Sequence, residues 1–129
     1  MVEISEIETD TAFISKLDGG IIRVEVKDNS HLEAENLEDN YKAYVDLMDG
    51  EDAPFLIIVN SNSTISSEGR HKYNQNTRRE VRAKDALVMK DPTTMLLINS
   101  QVMFIKPIIP TQAFINERSA LAWLRKEEG

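Results

Sequence analysis

The spacing of apolar and polar residues divides the chain into short segments that favour strands and longer segments that favour helices. In residues 12–17 and 21–26, apolar and polar side chains alternate or nearly alternate. An Asp-Gly-Gly turn at 18–20 separates the two segments, which predicts a β-hairpin. Residues 54–59 are an apolar run too short for a helix, as expected for a strand buried on both faces. Residues 86–89 and 112–115 predict two further short strands.

Longer segments carry apolar residues at helical spacing. Ser30 and Glu33 match the capping-box pattern at the start of an amphipathic helix, and Gly50 ends that helix. A second helix is predicted from near Ser66 to about Val81. Its apolar stripe is thin, which places it at the periphery of the core.

Residues 95–105 are apolar almost all round, which exceeds the requirement of one core-facing helix stripe. Three interpretations stay open: core packing, a dimer or protein-partner surface, and a pocket for an apolar or lipid-like ligand. The candidate interface residues of this segment are Met95, Leu96, Val102, Met103 and Phe104.

The predicted order of elements is β-β-α-β-α-β-α-β-α, and Asn116 caps the last helix. Strands that alternate with helices after an initial hairpin predict an α/β fold, with a mixed, mostly parallel sheet flanked by helices. We expect residues 54–59 at the centre of that sheet, and a single domain over residues 1–129.

Composition excludes several classes of function. A chain of 129 residues without cysteine has no disulfide, zinc–thiolate site or thiol nucleophile. Its net charge of −7 argues against nucleic acid as a partner. The apolar runs are far shorter than a membrane span, and the first residues are acidic rather than a basic, apolar leader. We therefore expect a cytoplasmic protein without an integral membrane segment.

Charge is spread unevenly along the chain. Residues 25–52 contain ten acidic and two basic residues, whereas residues 68–84 contain six basic and two acidic residues. Two solvated helix faces of opposite sign account for this distribution. Steering of a charged partner, or complementary self-association, is the alternative.

The polar loop after the apolar strand is the segment with the character of a site. In open α/β sheets, ligands bind at the carboxyl ends of the strands, and this loop also leads into a helix whose free N–H groups favour an anion. Turn and capping chemistry is the alternative, because serine and asparagine serve both roles. The candidate residues of an anion or ligand loop are Asn60, Ser61, Asn62, Ser63, Thr64 and Arg70.

Catalysis and metal binding find little support in the residues. Ser67 has His71 one helical turn away, but nothing nearby supplies an oxyanion hole. His31 is the only other histidine, and the carboxylates lack the spacing of metal ligands. We predict no catalytic residue, no metal and no cofactor, with a hydrolase as the weakest alternative.

Two segments resemble a known group of proteins. The sequence Ile-Ser-Ser-Glu-Gly at 65–69 resembles the I-D-S-x-G that opens the switch helix of anti-sigma factor antagonists, with Ser66 in place of the acidic residue. Residues 114–124 place a phenylalanine strand, a cap and then A-x-x-W-L in succession. With the element order, these motifs are similar to STAS-type domains, and more narrowly to small stand-alone bacterial proteins of SpoIIAA-like fold.

The resemblance implies a non-catalytic protein-interaction or regulatory module whose partner is unknown. It also implies that Ser67, with Ser66 beside it, is the candidate switch residue that a partner kinase would phosphorylate. A binder of a small anionic or apolar ligand is the alternative function. A homodimer formed through residues 95–105 is a further expectation.

Overall fold

A six-stranded mixed sheet lies at the centre of the protein. The computed structural model describes residues 6–60, 63–77, 82–89 and 109–126, and at 74–77 and 82 it describes the main chain. The spatial order of the strands is β1 (Glu6–Glu8), β2 (Ala12–Lys16), β3 (Ile22–Val26), β5 (Ala53–Val59), β7 (Arg82–Met89) and β8 (Thr111–Phe114).

Within the sheet that the described residues form, β2 runs opposite to the other five strands. β1, β2 and β3 pair antiparallel, whereas β3, β5, β7 and β8 are parallel to one another. Two further strands, β4 (His31–Leu32) and β6 (Thr64–Ile65), form a separate parallel pair. The helices of the described residues are α1 (Ala34–Met48), α2 (Ser67–Thr77) and α3 (Glu117–Arg125). The predicted mixed, mostly parallel sheet is confirmed.

Strand β5 is buried on both faces, as its apolar run predicts. Phe55 and Ile57 belong to the core cluster that α1 covers, while Leu56 and Ile58 belong to the cluster that α3 covers. The Tyr44 ring of α1 meets the Phe55 ring edge-on, with centroids 4.7 Å apart. Burial of each such side chain contributes about 1.5–3 kcal/mol to the free energy of folding. The fold therefore gains most when helices cover both faces of β5.

The predicted hairpin is confirmed as the β2–β3 pair. Its turn contains Gly19 and Gly20, whose φ angles of 85° and 83° lie in the left-handed region that glycine adopts without strain. On β3, Ile22 and Val24 are buried against α1, as the alternation predicts.

The boundaries of α1 differ from the prediction. The capping box predicted at Ser30 is wrong by three residues, because Glu33 is the N-cap and Asn36 Oδ1 accepts a hydrogen bond from the Glu33 N–H at 2.9 Å. The Ser30 carbonyl instead accepts the Thr64 N–H at 2.9 Å, just ahead of β4. At the other end, Asp49 is the C-cap in the left-handed conformation, and Gly50, the predicted C-cap, follows it with a φ of 78°.

Arg23 fastens α3 to the sheet. Its guanidinium lies 3.1 Å from Glu117 in the first turn of α3 and 3.1 Å from Glu25 on its own strand. Partial burial alone would lower the pKa of Arg23, but the hydrogen bonds and charges of Glu117 and Glu25 raise it above its usual value. The exposed face of β3 is thereby joined to the N-terminus of the last helix.

Strand β7 begins at Arg82, four residues earlier than predicted, because its first half is not apolar. Asp85 has no exposed surface and lies in the layer between the sheet and α2. Its Oδ2 atom accepts a hydrogen bond from the Tyr73 hydroxyl of α2. A buried carboxylate with a phenol partner therefore lies in the part of β7 that precedes the predicted strand 86–89. The predicted helix at 95–105 lies outside the described residues.

We expect Tyr73→Phe to lower the free energy of unfolding by about 1–3 kcal/mol, because it removes a hydrogen bond from a buried carboxylate. Urea unfolding of Tyr73→Phe, Asp85→Asn and the double variant gives the coupling between the two side chains. We expect a coupling of about 0.5–3 kcal/mol. Additive effects of the two substitutions would contradict this role of the pair.

Candidate functional site

The loop after β5 is held to the end of β3 by its own polar side chains. Asn60 Nδ2 donates to the Val26 carbonyl at 2.7 Å, and Ser63 Oγ donates to the Lys27 carbonyl at 2.9 Å. The Ser63 N–H also closes a turn onto the Asn60 carbonyl at 3.1 Å. Two of the predicted ligand-loop residues therefore satisfy backbone groups of the neighbouring connection.

The β4–β6 pair ties the same loop to the segment that leads into α1. His31 stands opposite Thr64 and Leu32 opposite Ile65 in the parallel register. The Ser66 N–H donates to the Leu32 carbonyl at 3.0 Å, which extends the ladder to the residue that precedes α2. The two helices α1 and α2 thus begin beside each other.

The two adjacent serines at the start of α2 have different roles. Ser66 is the cap, since its Oγ atom accepts the Gly69 N–H at 2.9 Å and its carbonyl accepts the Arg70 N–H at 3.0 Å. Ser67 is the first residue of the helix, and its side chain is exposed. Of the two candidate switch residues, Ser67 presents the accessible hydroxyl.

Gly69 allows α2 to approach β4 closely. A Cβ atom at this position would lie 2.6 Å from the Leu32 carbonyl oxygen and 2.9 Å from Ile65 Cγ1. Both distances are shorter than a van der Waals contact, and the nearer atom belongs to the backbone. The position of the α2 N-terminus therefore depends on glycine at 69.

Further contacts join α2 to α1 and to the sheet. Lys72 Nζ lies 2.8 Å from Glu38 Oε1 of α1, and both side chains are partly buried. Farther along α2, the Tyr73 hydroxyl reaches Asp85. Three residues of α2 therefore contact its neighbours: Gly69, Lys72 and Tyr73.

An unpredicted chain of polar contacts crosses β4 and β6. His31 Nδ1 lies 2.6 Å from Thr64 Oγ1, and His31 Nε2 lies 2.8 Å from Glu33 Oε1. The first two residues are 33 positions apart in sequence. No local pattern brings them together, because only the pairing of two-residue strands does so.

The remaining predicted residues fall into two groups. Arg70 is exposed on the first turn of α2, so it lies near Ser67 but takes no part in the ladder of β4 and β6. Anion binding by this loop stays a prediction. The other candidates lie outside the described residues: Ser61, Asn62, Met95, Leu96, Val102, Met103 and Phe104.

This arrangement of sheet and helices matches the SpoIIAA-like fold. The structure is similar to the crystal structure of an uncharacterized DUF3478-family protein with a SpoIIAA-like fold from Shewanella loihica PV-4. The TM-score is 0.58 at 13% sequence identity, over 95% of this chain and 92% of that chain. At this identity the likeness shows the fold, and it confirms the SpoIIAA-like fold predicted from the sequence.

The chain belongs to the family defined by the domain of unknown function DUF7793, whose model matches residues 15–128. No curated protein matches the sequence. None of the helices in the described ranges has the length and apolar character that a membrane crossing requires.

We expect Gly69→Ala to destabilise the protein by about 1–3 kcal/mol, because the added methyl group meets the Leu32 carbonyl. At an open helix position the same change stabilises by about 1 kcal/mol, so the sign of the effect is diagnostic. Urea unfolding measures it, with the exposed neighbour Arg70→Ala as a control that should change stability by less than about 0.5 kcal/mol. A Gly69→Ala variant as stable as the parent would refute the close approach.

Proposed function

We propose that this protein is a non-catalytic interaction module of SpoIIAA type in the bacterial cytoplasm. Its partner is another protein, which binds at the start of α2. One observation carries the proposal: the loop before α2 uses its polar side chains to fasten itself, while Ser67 is left exposed on the first turn.

The rigidity of this edge supports a docking role. Backbone bonds to Ser30 and Leu32, and side-chain bonds to Val26 and Lys27, hold Asn60 and residues 63–66 from several directions. A surface that is ordered before it meets its partner loses little conformational entropy on binding. The exposed residues that follow on α2 are Ser67, Glu68, Arg70 and His71.

Ser67 is the proposed switch residue. A phosphate there would add about −1.5 to −2 charges, and a helix N-terminus favours negative charge, so α2 would stay folded. Arg70 lies three residues later, on the neighbouring part of the helix surface, where its guanidinium can pair with the phosphate. The modification would therefore alter the charge of the docking edge without altering the fold.

In this proposal Ser66 caps α2 and is not itself the switch residue. Its hydroxyl oxygen already accepts the Gly69 N–H, so Ser66→Ala would remove a cap worth about 1 kcal/mol. A kinase acting on Ser66 would first have to open that bond. The two serines are therefore distinguishable by stability measurements as well as by phosphopeptide mapping.

The test begins with capture of the partner from lysate of the native cell, identified by mass spectrometry. Titration calorimetry with that partner then compares Ser67→Asp and Ser67→Ala. We expect the two variants to differ in affinity by at least about tenfold, which corresponds to 1.4 kcal/mol, because one carries charge at the docking edge.

Ser119 provides the matched control. It is an exposed serine in the first turn of α3, so Ser119→Asp and Ser119→Ala change charge in the same helix context away from the docking edge. Those two variants should bind equally well. Equal affinity of the Ser67 variants, with no phosphopeptide covering 60–67 in cells, would reduce Ser67 to a structural residue.

Ligand binding is the competing function, and self-association through residues 95–105 remains a separate prediction. Inorganic phosphate that raises the unfolding temperature of the parent, but not of Arg70→Ala, would favour an anion binder over a docking module. Sedimentation through the micromolar range decides the homodimer, since a monomer throughout would refute it.

A further inference from the structure

Three exposed side chains form a hydrogen-bonded chain on the β4–β6 pair. A hydroxyl, an imidazole and a carboxylate follow one another, with separations of 2.6 Å between Thr64 Oγ1 and His31 Nδ1 and 2.8 Å between His31 Nε2 and Glu33 Oε1. We propose that Thr64 is an acyl-acceptor site, whose hydroxyl takes an acyl group from a small activated ester or thioester. His31 acts as its general base, and Glu33 orients the ring.

The direction of the hydrogen bonds follows from the chemistry of the three groups. When the His31 ring is neutral, a proton on Nε2 lets it donate to an ionised Glu33 carboxylate, which can only accept. Its Nδ1 atom is then an acceptor, and the Thr64 hydroxyl must donate to it. In this tautomer the proton that a nucleophilic Thr64 has to lose already points at a base.

The backbone holds the pair in place. His31 and Thr64 are register partners in β4 and β6, and the Thr64 N–H is bonded to the Ser30 carbonyl at 2.9 Å. Leu32 is buried on the opposite face of β4, which fixes the strand against the core. Two side chains on paired strands need little reorganisation to meet, which is the condition for an efficient intramolecular proton transfer.

Neighbouring hydroxyls lack this environment. Ser63 Oγ donates to a backbone carbonyl, and Ser66 Oγ accepts the Gly69 N–H. The first amides of α2, at Ser67 and Glu68, follow Thr64 by three and four residues and have no intrahelical acceptor.

The proposed step is a single acyl transfer. Thr64 Oγ1 forms a bond to the acyl carbonyl carbon, and the hydroxyl proton passes to His31 Nδ1. The bond between that carbon and the leaving-group oxygen or sulfur breaks, and its electron pair departs with the leaving group. The imidazolium is stabilised by Glu33 until it returns the proton to solvent or to the leaving group.

The product is an O-acyl threonine and a free alcohol or thiol. The acyl transfer needs no oxidant, reductant or metal. The proposal is independent of the docking role of Ser67, because it concerns a different hydroxyl and a different reaction. An acylated Thr64 would nevertheless change the surface that lies beside the start of α2.

The probe is p-nitrophenyl acetate, applied to the full chain at neutral pH. Peptide mapping follows acetylation of each hydroxyl with time, and alkaline hydroxylamine distinguishes threonine esters, which it removes, from lysine amides, which it leaves. We expect Thr64 to react about 100-fold faster than the exposed Ser119, since a positioned general base contributes at least that factor. Thr64→Ser should retain the labelling, and Thr64→Val should abolish it.

The His31→Gln variant tests whether the imidazole acts as the general base. Glutamine keeps a hydrogen-bonding side chain in the strand, so the unfolding temperature should change little while labelling of Thr64 falls to the rate of Ser119. Glu33→Gln should give an intermediate rate, because it keeps a hydrogen bond and removes the charge. Parent protein that acetylates Thr64 no faster than Ser119, or an unchanged rate in His31→Gln, overturns the proposal.

Discussion

The burial of β5 on both faces is the constraint from which the rest of the architecture follows. Alternate side chains of this strand enter two different core clusters, one beneath α1 and one beneath α3. A strand of this kind is stable only in the interior of a sheet with helices on both sides, and parallel neighbours require helical crossovers. The carboxyl end of β5 is consequently surrounded by the ends of β3 and β7. The loop that leaves it lies at the edge where such sheets bind ligands and partners.

At that edge, backbone hydrogen bonding decides which side chains remain available. The β4–β6 ladder brings the N-terminal ends of α1 and α2 together, and Gly69 lets α2 settle against the Leu32 carbonyl. Serine and asparagine side chains then satisfy carbonyls of the adjoining connection. This is the turn and capping chemistry that the sequence offered as the alternative to a ligand loop. The contacts of Asn60, Ser63 and Ser66 are of the turn and capping kind, while the ligand loop stays a prediction.

The sequence predicts those elements whose apolar side chains recur at strand or helix spacing. It does not predict elements that are formed by backbone hydrogen bonds alone or that contain a buried polar pair. The hairpin, β5 and α3 belong to the first group. Strands β4 and β6 are two residues long and expose His31 and Thr64, so no alternation marks them. The first half of β7 does not look like a buried strand in the sequence, because it contains the charged residue Asp85. The side chain of Asp85 is buried with a hydrogen bond from Tyr73 of α2. The sequence places the candidate loop between β5 and α2, whereas the capping role of Ser66 depends on backbone geometry that no sequence pattern specifies.

The two hydroxyls at this edge differ in what their surroundings favour. Ser67 lies on a helix N-terminus, where a doubly charged group is stabilised but where no base within the described contacts takes the hydroxyl proton. Under the proposed switch, a second protein would supply the base that phosphorylation of Ser67 needs. Thr64 has a base beside it, held by Glu33, and so needs only a reactive acyl donor. Because Thr64 and Ser67 lie three residues apart on the segment that pairs with β4, a modification at either position would change the same surface.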